Sequence, residues 1–237
     1  MKMKDKKSEQ TENKRKHLAN VAAAKAKRRA APDLERAAPS KFEKPTILIV
    51  CEGENTEPSY FKKFKLTSAT VKAVGEGFNT VSLVNRAIEM NRKGFYDQVW
   101  CVFDKDAFSA EDFNNAIVMA EANGFGVAYS NQAFEYWLIL HFEDHQGGNM
   151  NRADYNKTIN RYINTLGAVY DGDGSKIVSE DFFDILNGIE VNGKKSRMEI
   201  AMERAKKIYG RLSHTSPAAE ESSTTVFKLV EEILKYI

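Results

Sequence analysis

Two short acidic segments carry the chemistry this chain can do. The first is Cys51-Glu52-Gly53-Glu54-Asn55-Thr56-Glu57, directly after the apolar run 46–51; the second is Phe103-Asp104-Lys105-Asp106, directly after the apolar run 98–103. Carboxylates crowded into one small volume repel one another and raise one another's pKa. A hard divalent cation relieves that repulsion, since Mg²⁺ takes oxygen ligands and is held by one or two carboxylates together with a substrate phosphate. Residues two apart on a strand share a face, so Asp104 and Asp106 can reach one ion. Gly53 leaves room for a substrate backbone or phosphate beside Glu52. The pattern points to a site for Mg²⁺ or Mn²⁺ beside a substrate phosphate. At that site Asp104 and Asp106 hold metal, and Glu52 binds a second ion or handles a proton. Glu57 either supports the second ion or is a favourable anion in a first helical turn. A lone D-x-D or a lone E-G is a solvated turn; it is the pair, each member behind a buried strand, that argues for a metal site.

The elements that must position these residues read as a parallel α/β sheet. Continuous β-branched or apolar runs mark strands at 46–51, 70–74, 98–103 and 126–130. Helical periodicity occupies 56–66, 80–93 and 110–123 between them. Strands alternating with helices of this length define a parallel sheet with crossover helices, and such sheets bind ligands beyond the carboxyl ends of their strands. Both acidic segments fall there. After Ser130 the pattern turns helical, with segments at 133–141, 152–166, 181–187, 195–211 and 224–237.

The fourth strand runs into Ser130-Asn131, at the same sheet edge. Asn131 can cap the helix that begins near Ala133, or touch a phosphate or a metal-bound water. Glu135 either favours the positive end of that helix or supplies a further ligand. His141 lies six residues on, roughly on the same face, and is a supporting candidate beside a structural hydrogen-bonding role. Lys194, Lys195 and Arg197 open a later helix, as a solvated start or as phosphate contacts flanking the cleft.

The net charge of +2 conceals an asymmetry: residues 1–44 carry 14 Lys/Arg against 6 Asp/Glu, and the remainder is net −6. The expected organisation is a basic, partly helical or disordered tail over 1–44, a catalytic core over 45–142, and a helical C-terminal extension packed on it over 143–237. Lys25, Lys27, Arg28 and Arg29 of the tail suit a phosphate-binding arm, since cations there would release counterions from nucleic acid. No segment is long and apolar enough to cross a bilayer, and the lysine-rich start lacks the apolar core of a signal peptide, so the expected location is cytoplasmic. Cys51 and Cys101 sit in apolar runs and read as buried hydrophobes.

An apolar strand ending in E-G followed by one ending in D-x-D resembles the Toprim domain of topoisomerases, bacterial primases and OLD-type nucleases. More finely, I-V-C-E-G-E-N-T-E-P-S-Y-F, V-F-D-K-D and S-N-Q-A-F-E-Y-W-L-I-L-H-F, spanning 49–142, resemble the RloB-like family. The resemblance places that family's strong positions at Glu52, Gly53, Thr56, Glu57, Asp104, Asp106, Ser130, Asn131, Phe134, Glu135, Trp137 and His141. It implies a Toprim-like (Rossmann-like) fold, a metal-dependent nuclease in antiphage defence or abortive infection, nucleic acid (DNA or RNA) as partner, and an ABC-type ATPase encoded nearby. Ala107 and Phe108 replace the glycine that often follows D-x-D, and neither a primase zinc motif nor a topoisomerase tyrosine domain accompanies the core. Two rival readings stand beside the nuclease. One is a catalytically silent Toprim-like partner of the ATPase. The other is a phospho-receiver-like domain with Glu52 and Glu54 as its acid pair, Asp104 as the phosphorylated residue and Ser130 as its hydroxyl.

Overall fold

The computed structural model describes residues 3–29, 44–73, 80–105, 109–145, 152–189 and 193–237, with the side chains of 3–7, 27–29, 73 and 152 left out. The chain divides into two units, 1–43 and 44–237. In the first, Met3–Arg29 forms helix α1. Lys, Arg, Ala, Glu and Gln dominate it, all good helix formers. Every described side chain on it is exposed.

The second unit is an α/β body. Its strands are β1 (Ile47–Cys51), β2 (Ala69–Ala73), β3 (Gln98–Asp104) and β4 (Gly126–Ser130), all parallel in the order β2-β1-β3-β4. Helices α2 (Thr56–Lys62), α3 (Thr80–Gly94) and α4 (Ala110–Ala122) connect them. Then come α5 (Glu135–Leu140), α6 (Arg152–Ile163), α7 (Glu180–Asn187), α8 (Arg197–Tyr209) and α9 (Val226–Leu234).

Alternation along the strands builds two cores. Leu48, Val50, Cys101, Phe103, Val127 and Tyr129 pack with Leu83, Val84 and Ala87 of α3 and Phe113, Ala116 and Ile117 of α4. Ile47, Ile49, Cys51, Val102 and Ala128 pack on the other face with α2, α5, α8 and α9. Strands apolar at every position are therefore what a sheet covered on both faces requires. Helix α5 lies deepest: Tyr136, Trp137, Leu138, Ile139 and Leu140 are all without exposure. Trp137 Nε1 donates to Tyr60 Oη at 2.9 Å, and Tyr60 Oη donates to Met198 Sδ at 3.2 Å, joining α5, α2 and α8. Cys51 and Cys101 are buried free thiols, and burial pushes the Cys101 thiol up to about 12.

The C-terminal helix starts later than its periodicity predicts, at Val226 rather than 224, because Thr224 and Thr225 complete the edge of β4. Thr225 N–H donates to Tyr129 O at 2.8 Å, and Ser130 and Thr224 form an antiparallel bridge. Thr225 Oγ1 accepts the Tyr129 N–H at 2.9 Å and donates to Val127 O at 3.1 Å. A side chain thus does the work of a strand, satisfying backbone groups that would otherwise be buried without partners. Thr225→Val keeps the shape but leaves those two groups unpaired. It is expected to cost about 2–4 kcal/mol, read by differential scanning calorimetry as a Tm lower by roughly 5–10 °C; an unchanged Tm would show that the hydroxyl is dispensable.

Candidate active site

The bonding between β1 and β3 continues past Cys51: Glu52 N–H donates to Val102 O at 2.9 Å. This sets Glu52 beside the end of β3, where Asp104 N–H donates to Glu52 Oε2 at 3.3 Å. Asp104 in turn pairs with Ser130 of β4. Its carboxylate Oδ2 accepts the Phe134 N–H at 3.0 Å, just ahead of α5. Glu135 opens α5 and accepts the Tyr170 hydroxyl at 2.7 Å, and Tyr170 Oη lies 3.2 Å from Thr56 Oγ1 in α2.

Glu57 is almost fully buried. A Cβ built on Gly53 would stand 2.4 Å from Glu57 Oε2. The space that the sequence pattern assigns to a substrate phosphate is therefore filled by the Glu57 carboxylate. Glycine is required there because the chain's own acid folds back over it.

Burial pushes the Asp104 carboxyl well above the usual carboxylate range. The charges of Glu57 and Glu135 push it further, Glu52 adds to them, and the Phe134 N–H acts the other way. The crowding favours the protonated form of Asp104. All four groups are oxygen donors of the hard kind that suits Mg²⁺ or Mn²⁺. Among the described residues no three His, Cys, Asp or Glu side chains form a ready-made ligand set. Asp106 lies outside the described residues. The Tyr170 phenol is held protonated by burial first and by Glu135 next, so it remains a donor.

The other candidates occupy varied places. Ser130 is buried, with its hydroxyl 3.0 Å from Thr224 Oγ1. Asn131 does not cap α5: its Nδ2 donates to Pro217 O at 2.8 Å, and its N–H to Ser223 O at 2.8 Å. The 217–225 segment along the β4 edge holds Asn131 away from the helix start, leaving Oδ1 buried without a partner among the described residues. His141 sits in the aromatic core, where Nδ1 donates to Trp137 O at 3.0 Å and Nε2 lies 3.4 Å from Met198 Sδ. Burial pulls its pKa down to about 3, so it is neutral. Arg197 Nη1 donates to Ile185 O at 3.0 Å, Lys195 pairs with Glu203, and Lys194 is exposed. Lys25 is exposed on α1; the side chains of Lys27, Arg28 and Arg29 lie outside the described residues. Thr56 and Tyr170 complete the cluster. Tyr170 lies in an irregular stretch between α6 and α7, where neither period nor motif signals it.

The fold and site thus define a Rossmann-like α/β protein with four carboxylates pooled at the carboxyl edge of a parallel sheet, where such folds bind ligands. The chain belongs to the RloB-like protein family, whose model matches residues 47–233, from β1 into α9. No curated protein and no solved structure matches it.

The sign of the Asp104 shift sets a stability test. Its folded pKa lies above the unfolded value, so its stability contribution is full below the ordinary carboxylate range and is lost as pH rises through the raised folded pKa. Asp104→Asn keeps an acceptor for Phe134 and removes the charge. In buffer with a chelator its Tm should exceed that of the wild type at pH 8 by more than at pH 5. A difference independent of pH would show that Asp104 is not the strained acid.

Proposed function

We propose that this chain is a divalent-cation-dependent phosphodiesterase of Toprim type that hydrolyses nucleic acid. The observation that carries the proposal is the Asp104 carboxylate at the end of β3 with Glu52 just past β1, bonded to its N–H, and Glu57 of α2 and Glu135 of α5 near enough for their charges to act on it. Like charges are brought together at a cost to the fold only where something repays it, and pooled acids at a ligand-binding sheet edge suit a cation that bridges to phosphate.

In this reading Glu52, Glu57 and Asp104 would draw closer together to hold Mg²⁺ or Mn²⁺ than they stand here, where no three acids among the described residues form a ligand set, with Asp106 as a further candidate from sequence. When bound, the ion would polarise the phosphoryl oxygen and acidify the attacking water. The chain's own residues do the rest. The Phe134 N–H orients Asp104, and Gly53 lets Glu57 fold into the cluster. Tyr170 fixes Glu135 through a 2.7 Å bond, so that Glu135 can take a proton from water in a defined position. The basic α1 would add non-specific attraction to a polyanion. Family membership supports a role in antiphage defence or abortive infection beside an ABC-type ATPase.

Cleavage of labelled DNA and RNA is the test, with Mg²⁺, Mn²⁺ or EDTA, with and without the neighbouring ATPase. Cation-dependent cleavage is expected to fall on the order of 100-fold or more in Asp104→Ala, with the circular dichroism spectrum unchanged. An inert wild type under all these conditions favours the silent partner. Phosphate retained on Asp104 after treatment with acetyl phosphate favours the receiver domain. A second arm addresses Gly53: Gly53→Ala displaces the Glu57 carboxylate, so it should raise the Mn²⁺ concentration for half-maximal activity by roughly 10-fold while leaving the oligonucleotide KM within about twofold.

A further inference from the structure

Beside the acidic cluster opens a cavity of about 360 Å³. Sites for small molecules span about 300–1,000 Å³. Its wall includes Glu135, Tyr155, Asn156, Tyr170, Asp173 and Lys176. Glu135 faces both ways: it lines this cavity, and its charge is one of those that disfavour ionised Asp104. Whatever fills the cavity therefore abuts Glu135, one of the four carboxylates.

The far wall is a built loop. The Asp171 carboxylate accepts the N–H of Gly174 at 3.0 Å and of Ser175 at 2.8 Å, and its carbonyl accepts the Lys176 N–H at 2.8 Å. Asn156 anchors the loop to α6, donating to Asp173 Oδ2 at 2.7 Å and accepting from Gly172 N–H at 3.3 Å. These bonds hold Lys176 at φ 54°, a left-handed conformation unfavourable for a residue with a Cβ. Strain of this kind is retained where a side chain must be held for binding. Among the described residues Lys176 forms no ion pair, although Asp173 and Glu135 line the same cavity. A half-buried ammonium kept apart from nearby carboxylates suits an anion brought from outside.

We propose that this cavity binds one nucleotide of a single nucleic-acid strand, with its phosphate at Lys176 Nζ, next to the phosphodiester held at the acidic cluster. The proposal rests on the phosphodiesterase reading above. A duplex keeps its phosphates on a rigid rim, whereas a recess of this size takes one splayed-out unit, the form in which single strands are bound.

Two measurements on the full chain test it. The first is fluorescence anisotropy of labelled single-stranded DNA and RNA in Ca²⁺ over a range of NaCl. Lys176→Ala is expected to weaken binding about 10-fold and to reduce the salt slope by about 0.7, the loss of one single-strand phosphate contact; Lys176→Arg should restore the slope. Lys176→Gly removes the ammonium while suiting the left-handed backbone, so it should bind as weakly as the alanine variant without loss of Tm. The second is turnover of bis(p-nitrophenyl) phosphate, a diester with no neighbouring nucleotide. Lys176→Gly should leave that turnover unchanged while lowering oligonucleotide cleavage. Wild-type affinity and slope in Lys176→Gly would overturn the proposal, as would a wild type that binds no single strand. Single-strand binding that depends on Lys176, in a protein that cleaves neither substrate, would retain the nucleotide site and overturn only the catalytic reading.

Discussion

A parallel ladder places the ends of neighbouring strands about 4.8 Å apart, and at this sheet edge both neighbours end in acid. Glu52 follows β1, Asp104 ends β3, and the bond from Asp104 N–H to Glu52 Oε2 crosses the gap between them. Glu57 and Glu135 close in from the starts of two helices. The burden falls on Asp104, whose carboxyl is raised by burial and by the charges of Glu57, Glu135 and Glu52. The remaining features of the edge answer that one repulsion. A backbone N–H is aimed at Asp104, a phenol at Glu135, and a side-chain-free residue stands under Glu57.

Such an arrangement persists only if the parts that hold it cannot relax. Helix α5 supplies the rigidity. Five of its six residues have no exposure, and its indole and the phenol of Tyr60 are joined by a hydrogen bond inside the core. Arg204 Nη1 donates to Leu140 O at 2.7 Å, closing the helix's far end. His141 adds a bond to Trp137 O and stays neutral, so its contribution does not change across ordinary pH. With α5 fixed at its far end, Phe134 and Glu135 at its near end have little freedom to move away from Asp104.

The charge distribution has a comparable logic at larger scale. The body is net acidic and carries its acids at the sheet edge, while the first 44 residues are strongly basic. A polyanion approaching the carboxylates would be repelled unless cations intervene. A divalent ion at the acids would supply positive charge there.

The strands and the helices between them were legible in the sequence because each strand is buried on both faces, so its apolar run is continuous and local. Glu52 and Asp104 were legible for a related reason: topology puts every strand end of a parallel sheet at one edge, so acids at the ends of neighbouring strands meet, and the order β2-β1-β3-β4 makes β1 and β3 neighbours. Tyr170, Lys176 and the Thr224–Thr225 edge were not. They lie in stretches without period, and the contacts of Tyr170 and Thr225 cross long stretches of chain, 35 positions in the bond from Tyr170 to Glu135 and 98 in that from Thr225 to Val127. The same holds for Asn131, whose local sequence favours a helix cap until a distant segment claims its amide. Residue order alone determined which chemistry gathers at the sheet edge, because it follows from where strands stop. Only the tertiary structure decided which acid loses its water, which groups hold it and what lies beside it, because those depend on neighbours that the chain brings from far along its length.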